Sequence, residues 1–132
     1  MTAAGRVGRM LSPWAIALAL AAAAPASAHH STANFDMTKS GTVTGKVTYI
    51  SFTNPHSFFD LDVVGKNGVV QHYKVFTLAK VVMLRNEWKA GDLKVGDTVT
   101  VTGNPDRKDA SYVYLRKIVF ASGQTWSQDR IF

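Results

Sequence analysis

Apolar and polar residues alternate along most of the chain after residue 40, in short runs that glycine, proline and asparagine separate. A period of two is typical of strands, because successive side chains point to opposite faces of a sheet. The pattern predicts five strands, and Asn67-Gly68 indicates a hairpin turn between the second and the third. The predicted strands cover residues 41–53, 57–64, 69–76, 98–103 and 112–120.

The first predicted strand changes parity along its length. Val43, Val47 and Tyr49 share one face of a regular strand, whereas Ile50 and Phe52 share the other. An apolar set that changes face within one strand predicts a bulge or a sharp bend between the two sets.

The period lengthens between the third and fourth predicted strands. Leu78, Val81, Leu84 and Trp88 fall on one helical stripe, and Thr77 is placed to serve as the N-cap. Three meandering strands, one helix and two further strands are the order of an OB-type barrel. We therefore expect an all-β fold with one helix, a small OB-like five-stranded β-barrel with the helix between strands 3 and 4. A flat meander with a packed helix is the alternative.

The first 28 residues have the three parts of a secretory signal peptide. Two arginines supply the positive start, residues 10–24 form an apolar run, and Ala26-Ser27-Ala28 is a small-x-small cleavage pattern. We expect cleavage at about Ala28/His29, a periplasmic or secreted protein, and no stable membrane span after cleavage. An uncleaved anchor is the alternative, although the run is short for the roughly 20 residues of a span. The predicted organisation is a signal peptide (1–28), an extended N-terminal arm (29–40) and the OB-like barrel domain (41–132).

Cleavage would leave 104 of the 132 residues, with 13 basic residues against 9 acidic ones and a net charge of +4. The positive residues are scattered along the chain, so a nucleic-acid partner is not expected. The chain has no cysteine, which excludes disulfides. No CxxC, HExxH or glycine-rich phosphate loop occurs, and we do not expect an enzyme.

All four histidines follow the predicted cleavage site, and they suggest a metal site. After cleavage the α-amine and the imidazole of His29 can chelate one ion, since both groups lose their protons readily near neutral pH. His56 follows the Asn54-Pro55 turn and is the best third ligand, with His30 or His72 as an auxiliary. A nitrogen-rich set of this kind favours Cu(II), so copper is the expected metal.

Two other interpretations of these histidines remain open. In the first, the histidines bind no metal: those at 29–30 belong to a solvated tail, and the one at 56 only hydrogen-bonds a turn carbonyl. An oxidative copper enzyme would use the same ligands, although a chain this short leaves little room for a substrate surface. Asp60 and Asp62 are two residues apart on one strand, so their side chains point the same way. They are partners of a histidine, ligands of a hard cation, or part of a solvated face.

A second hypothesis is a binding module without a metal. OB-type barrels bind ligands across the face of their middle strands. Phe58, Tyr73, Tyr112 and Tyr114 are the candidate aromatic face, which would hold an unknown protein partner or another ligand.

Four segments together resemble an exported bacterial family catalogued as domain of unknown function (DUF) 6152. The segments are "AHHSTANFD", "GTVTGKVTYISFTNPH", "GDLKVGDTVTVTGNP" and "LRKIVFASGQTW", and the resemblance covers essentially the whole mature chain. It implies that residues 54–56 belong to the family motif and that residues 29–30 match its start, but it implies no activity. Tyr73 stands where the family usually has tryptophan, Phe76 where it often has an acidic residue, and His72 matches no family motif.

Overall fold

The structure, a computed structural model, describes residues 32–131. His29, His30, the predicted signal peptide and its cleavage site lie outside the described residues. The elements are β1 (Gly41–Ser51), β2 (Phe58–Val64), β3 (Val70–Phe76), α1 (Lys80–Arg85), β4 (Thr98–Pro105), β5 (Tyr112–Val119), β6 (Thr125–Ser127) and a final 3₁₀ turn (Gln128–Arg130).

Five strands close into a barrel. Antiparallel pairing joins the strands in the order β3-β2-β1-β4-β5, and a short parallel pairing of β3 with β5 closes the ring. This confirms the predicted all-β, OB-like barrel with its helix between β3 and β4, and it excludes the flat meander. The short strand β6 was not predicted. It pairs with the last residues of β5, whereas β3 pairs with the first residues of β5.

The barrel interior is filled by the inward-facing residues of each strand. Phe59 and Leu61 on β2 and Val99 and Val101 on β4 are all buried, as their alternation predicts. A cluster of aromatic rings extends this core beyond the strands. Its edge-to-face contacts join Trp88 to Phe120, with centroids 4.9 Å apart, and to Trp126, with centroids 5.1 Å apart.

The predicted bulge in β1 is confirmed, but it lies earlier than the apolar pattern indicates. The register between β1 and β2 shifts between Val47 and Tyr49. The extra residue reverses the parity before Tyr49, so Val47 is fully buried while Tyr49 is 53% exposed. Placing Tyr49 on the inner face with Val47 was therefore wrong, and the inward set continues with Ile50 and Phe52.

Two glycines permit strands to cross closely where the barrel curves. A Cβ at Gly45 would lie 2.7 Å from the carbonyl oxygen of Asp62, and one at Gly103 would overlap the carbonyl oxygen of Tyr114. Neither contact is possible for a side-chain carbon, so these positions need glycine for space.

The helix is shorter than predicted, and the proposed stripe is wrong. It has six residues and buries only Met83, whereas Val81 and Leu84 are 42% and 44% exposed. A helix of fewer than two turns cannot present a stripe that extends to residue 88. Thr77 is not the N-cap: its hydroxyl lies 2.7 Å from the sulfur of Met83, and it holds the helix to β3. No helix in the described part of the chain is long and apolar enough to cross a membrane.

Candidate functional site

The outward-facing side chains of β1, β2, β3 and β5 form rows across the barrel. Phe58 on β2 lies opposite Phe76 on β3, and their ring centroids are 6.3 Å apart. Tyr49 of β1 lies 5.8 Å from Phe58, and Tyr112 of β5 lies 6.0 Å from Phe76. We name these four rings, Tyr49, Phe58, Phe76 and Tyr112, the aromatic strip. Its two tyrosines are 53% and 42% exposed, so the strip is open to solvent at both ends.

Paired charges lie directly beside the aromatic strip. Asp60 on β2 is opposite Lys74 on β3, and their charged atoms are 2.9 Å apart. The ammonium of Lys74 also lies 3.9 Å from the centroid of the Phe58 ring, within cation–π distance. In the next row, Nδ1 of His72 lies 2.6 Å from a carboxylate oxygen of Asp62. Asp60 and Asp62 thus point the same way, as predicted, and each has a basic partner on β3.

A shallow groove of about 390 Å³ runs along these charged rows. The loop between β4 and β5 forms its far wall and contributes Asp109 and Ser111. The hydroxyl and the backbone N–H of Ser111 both donate to the carboxylate of Asp109, and these bonds lower the pKa of Asp109 below its usual value. The loop therefore presents a carboxylate whose charge is locally stabilised.

The described part of the N-terminal arm docks beside the aromatic strip. Phe35 is only 5% exposed, and its ring lies 5.8 Å from Phe76 and 5.5 Å from Tyr114. The Asp36 N–H donates to the carbonyl of Pro105 at 2.8 Å, and the Arg107 N–H donates to the carbonyl of Asn34 at 2.9 Å. The described part of the arm begins with a turn over residues 32–35, so this part is not extended throughout.

Two of the four residues predicted for the aromatic face lie on the aromatic strip. Phe58 and Tyr112 belong to the strip, whereas Tyr114 is buried beneath Phe35 and Tyr73 packs against the barrel core. Two strip residues were missed. Tyr49 was assigned to the wrong face because the position of the bulge was not known. Phe76 shares parity with Lys74 and His72, and this was the available signal for an outward-facing ring.

The turn that carries His56 is held by several hydrogen bonds. The Ser57 hydroxyl donates to the Thr53 carbonyl at 2.9 Å, and the Thr53 hydroxyl donates to the His56 carbonyl at 3.0 Å. The Asn54 side chain accepts from the Val81 N–H at 3.1 Å, which ties the turn to α1. The His56 side chain is exposed, and among the described residues its imidazole has no hydrogen-bond or ion-pair partner.

The two described histidines lie far apart. His56 precedes the Phe58–Phe76 end of the β2–β3 ladder, whereas His72 is opposite Asp62, four residue pairs along it. At about 3.4 Å per residue, four pairs correspond to roughly 14 Å, too far for one ion to bind both imidazoles. Within residues 32–131, no three histidine, aspartate or glutamate side chains are grouped closely enough to hold a metal. The metal site predicted at His29 and His56 stays a prediction, because His29 and His30 lie outside the described residues, but His72 is too distant from His56 to be its auxiliary ligand.

Two solved structures, of different proteins, contain a region whose fold is similar to that of this chain. The crystal structure of the ZRD-deleted mutant of TiaS in complex with agmatine aligns with 24% identity and a TM-score of 0.46, over 62% of this chain and 21% of that one. The mitochondrial single-stranded DNA binding protein Rim1 from S. cerevisiae aligns with 9% identity and a TM-score of 0.47, over 62% of this chain and 92% of that one. The matched region thus spans about a fifth of the length of TiaS. No curated protein matches the chain in sequence.

A sequence profile described as "Family of unknown function (DUF6152)" matches residues 17–113. The match includes β1 to β4, the start of β5, the Asn-Pro-His turn and every residue of the aromatic strip. It covers well over half of the chain and confirms the family resemblance, and the last of the four segments, "LRKIVFASGQTW", lies beyond the matched residues. The chain therefore belongs to the family of unknown function DUF6152.

Proposed function

We propose that the protein is a small, non-catalytic binding module that holds its ligand on the aromatic strip. The observation that carries this proposal is the contact of four rings from four strands on the outside of a barrel whose interior is already filled. Tyrosine and phenylalanine contribute large contact areas with little loss of side-chain freedom, which suits them to binding surfaces. The site of action would be the periplasm or the exterior, in line with the predicted signal peptide.

Binding fits this face better than catalysis does. The two acids beside the strip are engaged with Lys74 and His72, and Asp109 accepts two hydrogen bonds from Ser111. Groups held in this way can orient a ligand by hydrogen bonds. The groove is also shallow and open, so it does not exclude water from a reacting centre.

The experiment is an NMR titration of the ¹⁵N-labelled mature protein with neutral oligosaccharides, neutral peptides and cationic peptides. We expect at least one class to shift amides of the four strands that carry the strip. A Tyr49→Ser, Tyr112→Ser double variant should lose that binding. Val95→Ser is the matched control, because Val95 is 63% exposed and lies outside the strip. The absence of any shift at the strip from all three classes would overturn the proposal.

A copper site is the second candidate function, and the His56 turn favours it. The turn is held by hydrogen bonds while its imidazole is exposed and unengaged in the described part of the chain. The arm docks on Phe76, whose ring contacts Phe58, two residues after His56.

In this candidate, the amine and imidazole of His29 and the imidazole of His56 would hold Cu(II), with His30 as an auxiliary. His72 is left out because of its distance from His56. The test is a Cu(II) titration followed by EPR on mature protein whose N-terminal residue has been confirmed by mass. His56→Ala and one extra residue before His29 should each abolish three-nitrogen binding, whereas His72→Ala should not. Full-strength binding by the extended protein would overturn the candidate.

A further inference from the structure

We infer that the ligand of the aromatic strip is a neutral carbohydrate chain. This inference rests on the proposed function and adds the chemical class of the ligand. Its basis is the arrangement of two parallel rows, one of rings and one of paired polar groups, on the outer face of β2 and β3.

The charges beside the strip disfavour a polyanion. The groove is lined by three carboxylates, one ammonium and one imidazole. A surface that binds nucleic acid presents an excess of lysine and arginine, because phosphate neutralisation supplies most of the affinity. Here the acids outnumber the cations, so stacking of nucleotide bases on the rings would bring phosphates close to carboxylates.

A cationic peptide is disfavoured for a different reason. Each carboxylate in the groove already has a local partner: Asp60 has Lys74, Asp62 has His72, and Asp109 has the hydroxyl and N–H of Ser111. At Asp60 and Asp62 a guanidinium or ammonium group would compete with the lysine or histidine that is already there. Two of the three carboxylates therefore already have a basic partner, and the third accepts hydrogen bonds from neutral donors.

The same groups suit hydroxyls. An ionised carboxylate has about four lone-pair sites and an ammonium has three donors, so each paired group keeps sites that a hydroxyl can use. A pyranose ring has an apolar C–H face and an edge of hydroxyls that both donate and accept. Stacked on the Phe76 ring, it would place those hydroxyls beside Asp60 and Lys74, two residue pairs away.

The spacing of the rings suits a chain of sugars better than a single one. Successive centroids from Tyr49 through Phe58 and Phe76 to Tyr112 are 5.8, 6.3 and 6.0 Å apart. Phe35 covers the Tyr114 ring, so the aromatic surface that a ligand can reach is limited to the strip. The corresponding face of other OB-type barrels binds oligosaccharides as well as oligonucleotides.

The test uses cellohexaose, maltohexaose and a chitin hexamer as neutral probes, with a neutral peptide, an arginine-rich peptide and single-stranded DNA as comparisons. We expect at least one hexasaccharide to bind with amide shifts confined to the strip and the groove. Its affinity should change by less than about twofold between low and high salt, because no net charge is neutralised. Tyr112→Ala should weaken binding about tenfold, whereas Tyr112→Phe should keep most of it because the stacked ring remains.

The outcomes separate the two proposals. Binding of either peptide at the strip with no binding of any hexasaccharide would overturn the carbohydrate inference and leave the binding module in place. Salt-sensitive DNA binding at the strip would also overturn the inference. If none of the probes binds there, both proposals fail. Unchanged melting temperatures of both Tyr112 variants are the control, and they are expected because this residue is 42% exposed.

Discussion

Replacing Phe35 with alanine tests whether the arm docks on the barrel as a separable unit. The Phe35 side chain is 5% exposed and lies against the rings of Phe76 and Tyr114. Truncating a buried phenylalanine to alanine costs about 3–5 kcal/mol. The arm can detach from the barrel instead of leaving a cavity, so this cost should reduce the free energy of arm docking before it reduces the stability of the barrel.

Two backbone amides report arm docking directly. The N–H of Asp36 donates to Pro105, and the N–H of Arg107 donates to Asn34, so both bonds break when the arm detaches. Losing about 3 kcal/mol of docking free energy should accelerate their hydrogen exchange roughly 100-fold, since 1.4 kcal/mol corresponds to about tenfold. In urea unfolding, the free energy of unfolding of the barrel should fall by less than about 1 kcal/mol. Phe35→Leu is the matched control and should accelerate exchange about tenfold or less, because it keeps most of the apolar volume.

Two results would refute this reasoning. If the Asp36 and Arg107 amides of Phe35→Ala exchange at the original rate, the Phe35 ring does not hold the arm. If amides of the core strands lose the same free energy as these two, the arm is an integral part of the barrel fold.

Three further predictions concern single contacts. Gly103→Ala should destabilise the barrel by about 1–3 kcal/mol in urea unfolding, because the added methyl group meets the backbone of β5; Gly41→Ala, which has open space around it, should leave the midpoint unchanged. Trp126→Phe should cost about 1–3 kcal/mol, since it removes the donor that lies 2.7 Å from the Asn86 carbonyl oxygen; a shift below 0.3 kcal/mol, about the error of the measurement, would contradict that role. The pKa of Asp36 is lowered from 3.8, chiefly by the hydroxyl and then by the N–H of the threonine two residues later. Because this pKa is lowered, the ionised carboxylate stabilises the turn fully above about pH 3.8, and this stabilisation is lost as the pH falls through the lower pKa of the folded state. A carboxyl ¹³C titration of Asp36 with a midpoint at or above 3.8 would contradict this prediction.

Alternation along the chain was sufficient to predict the five barrel strands and their order in the sequence, but not β6. Phe59 and Leu61 face the core as predicted, because a side chain's face in a regular strand depends only on its position relative to its neighbours. The turn at Asn67-Gly68 was predictable for a similar reason, since Gly68 adopts a positive φ of 77° that glycine tolerates. The Asn-Pro-His turn also lies between β1 and β2 as expected.

Alternation did not locate the bulge in β1 or the buried face of α1. A bulge placed before or after Tyr49 produces nearly the same sequence pattern, and pairing with β2 decides between the two positions. In α1, the apolar residues at Val81 and Leu84 indicated a stripe, yet the barrel contacts the helix at Met83. Helix propensity and periodicity are weak where a short helix is held by the strands beneath it.

By itself, the sequence determined the local periods, the turns and the family, and these were sufficient for a small OB-like barrel with one helix. The candidate site depended on the tertiary structure. The aromatic strip joins residues of four strands that are up to 63 positions apart, from Tyr49 to Tyr112, and Phe35 docks against rings 41 and 79 positions later in the chain. The contact between Phe76 and Tyr112, which completes the strip, forms only when the barrel closes through the β3–β5 pairing. That closure depends on the register of every intervening strand, which no local period specifies.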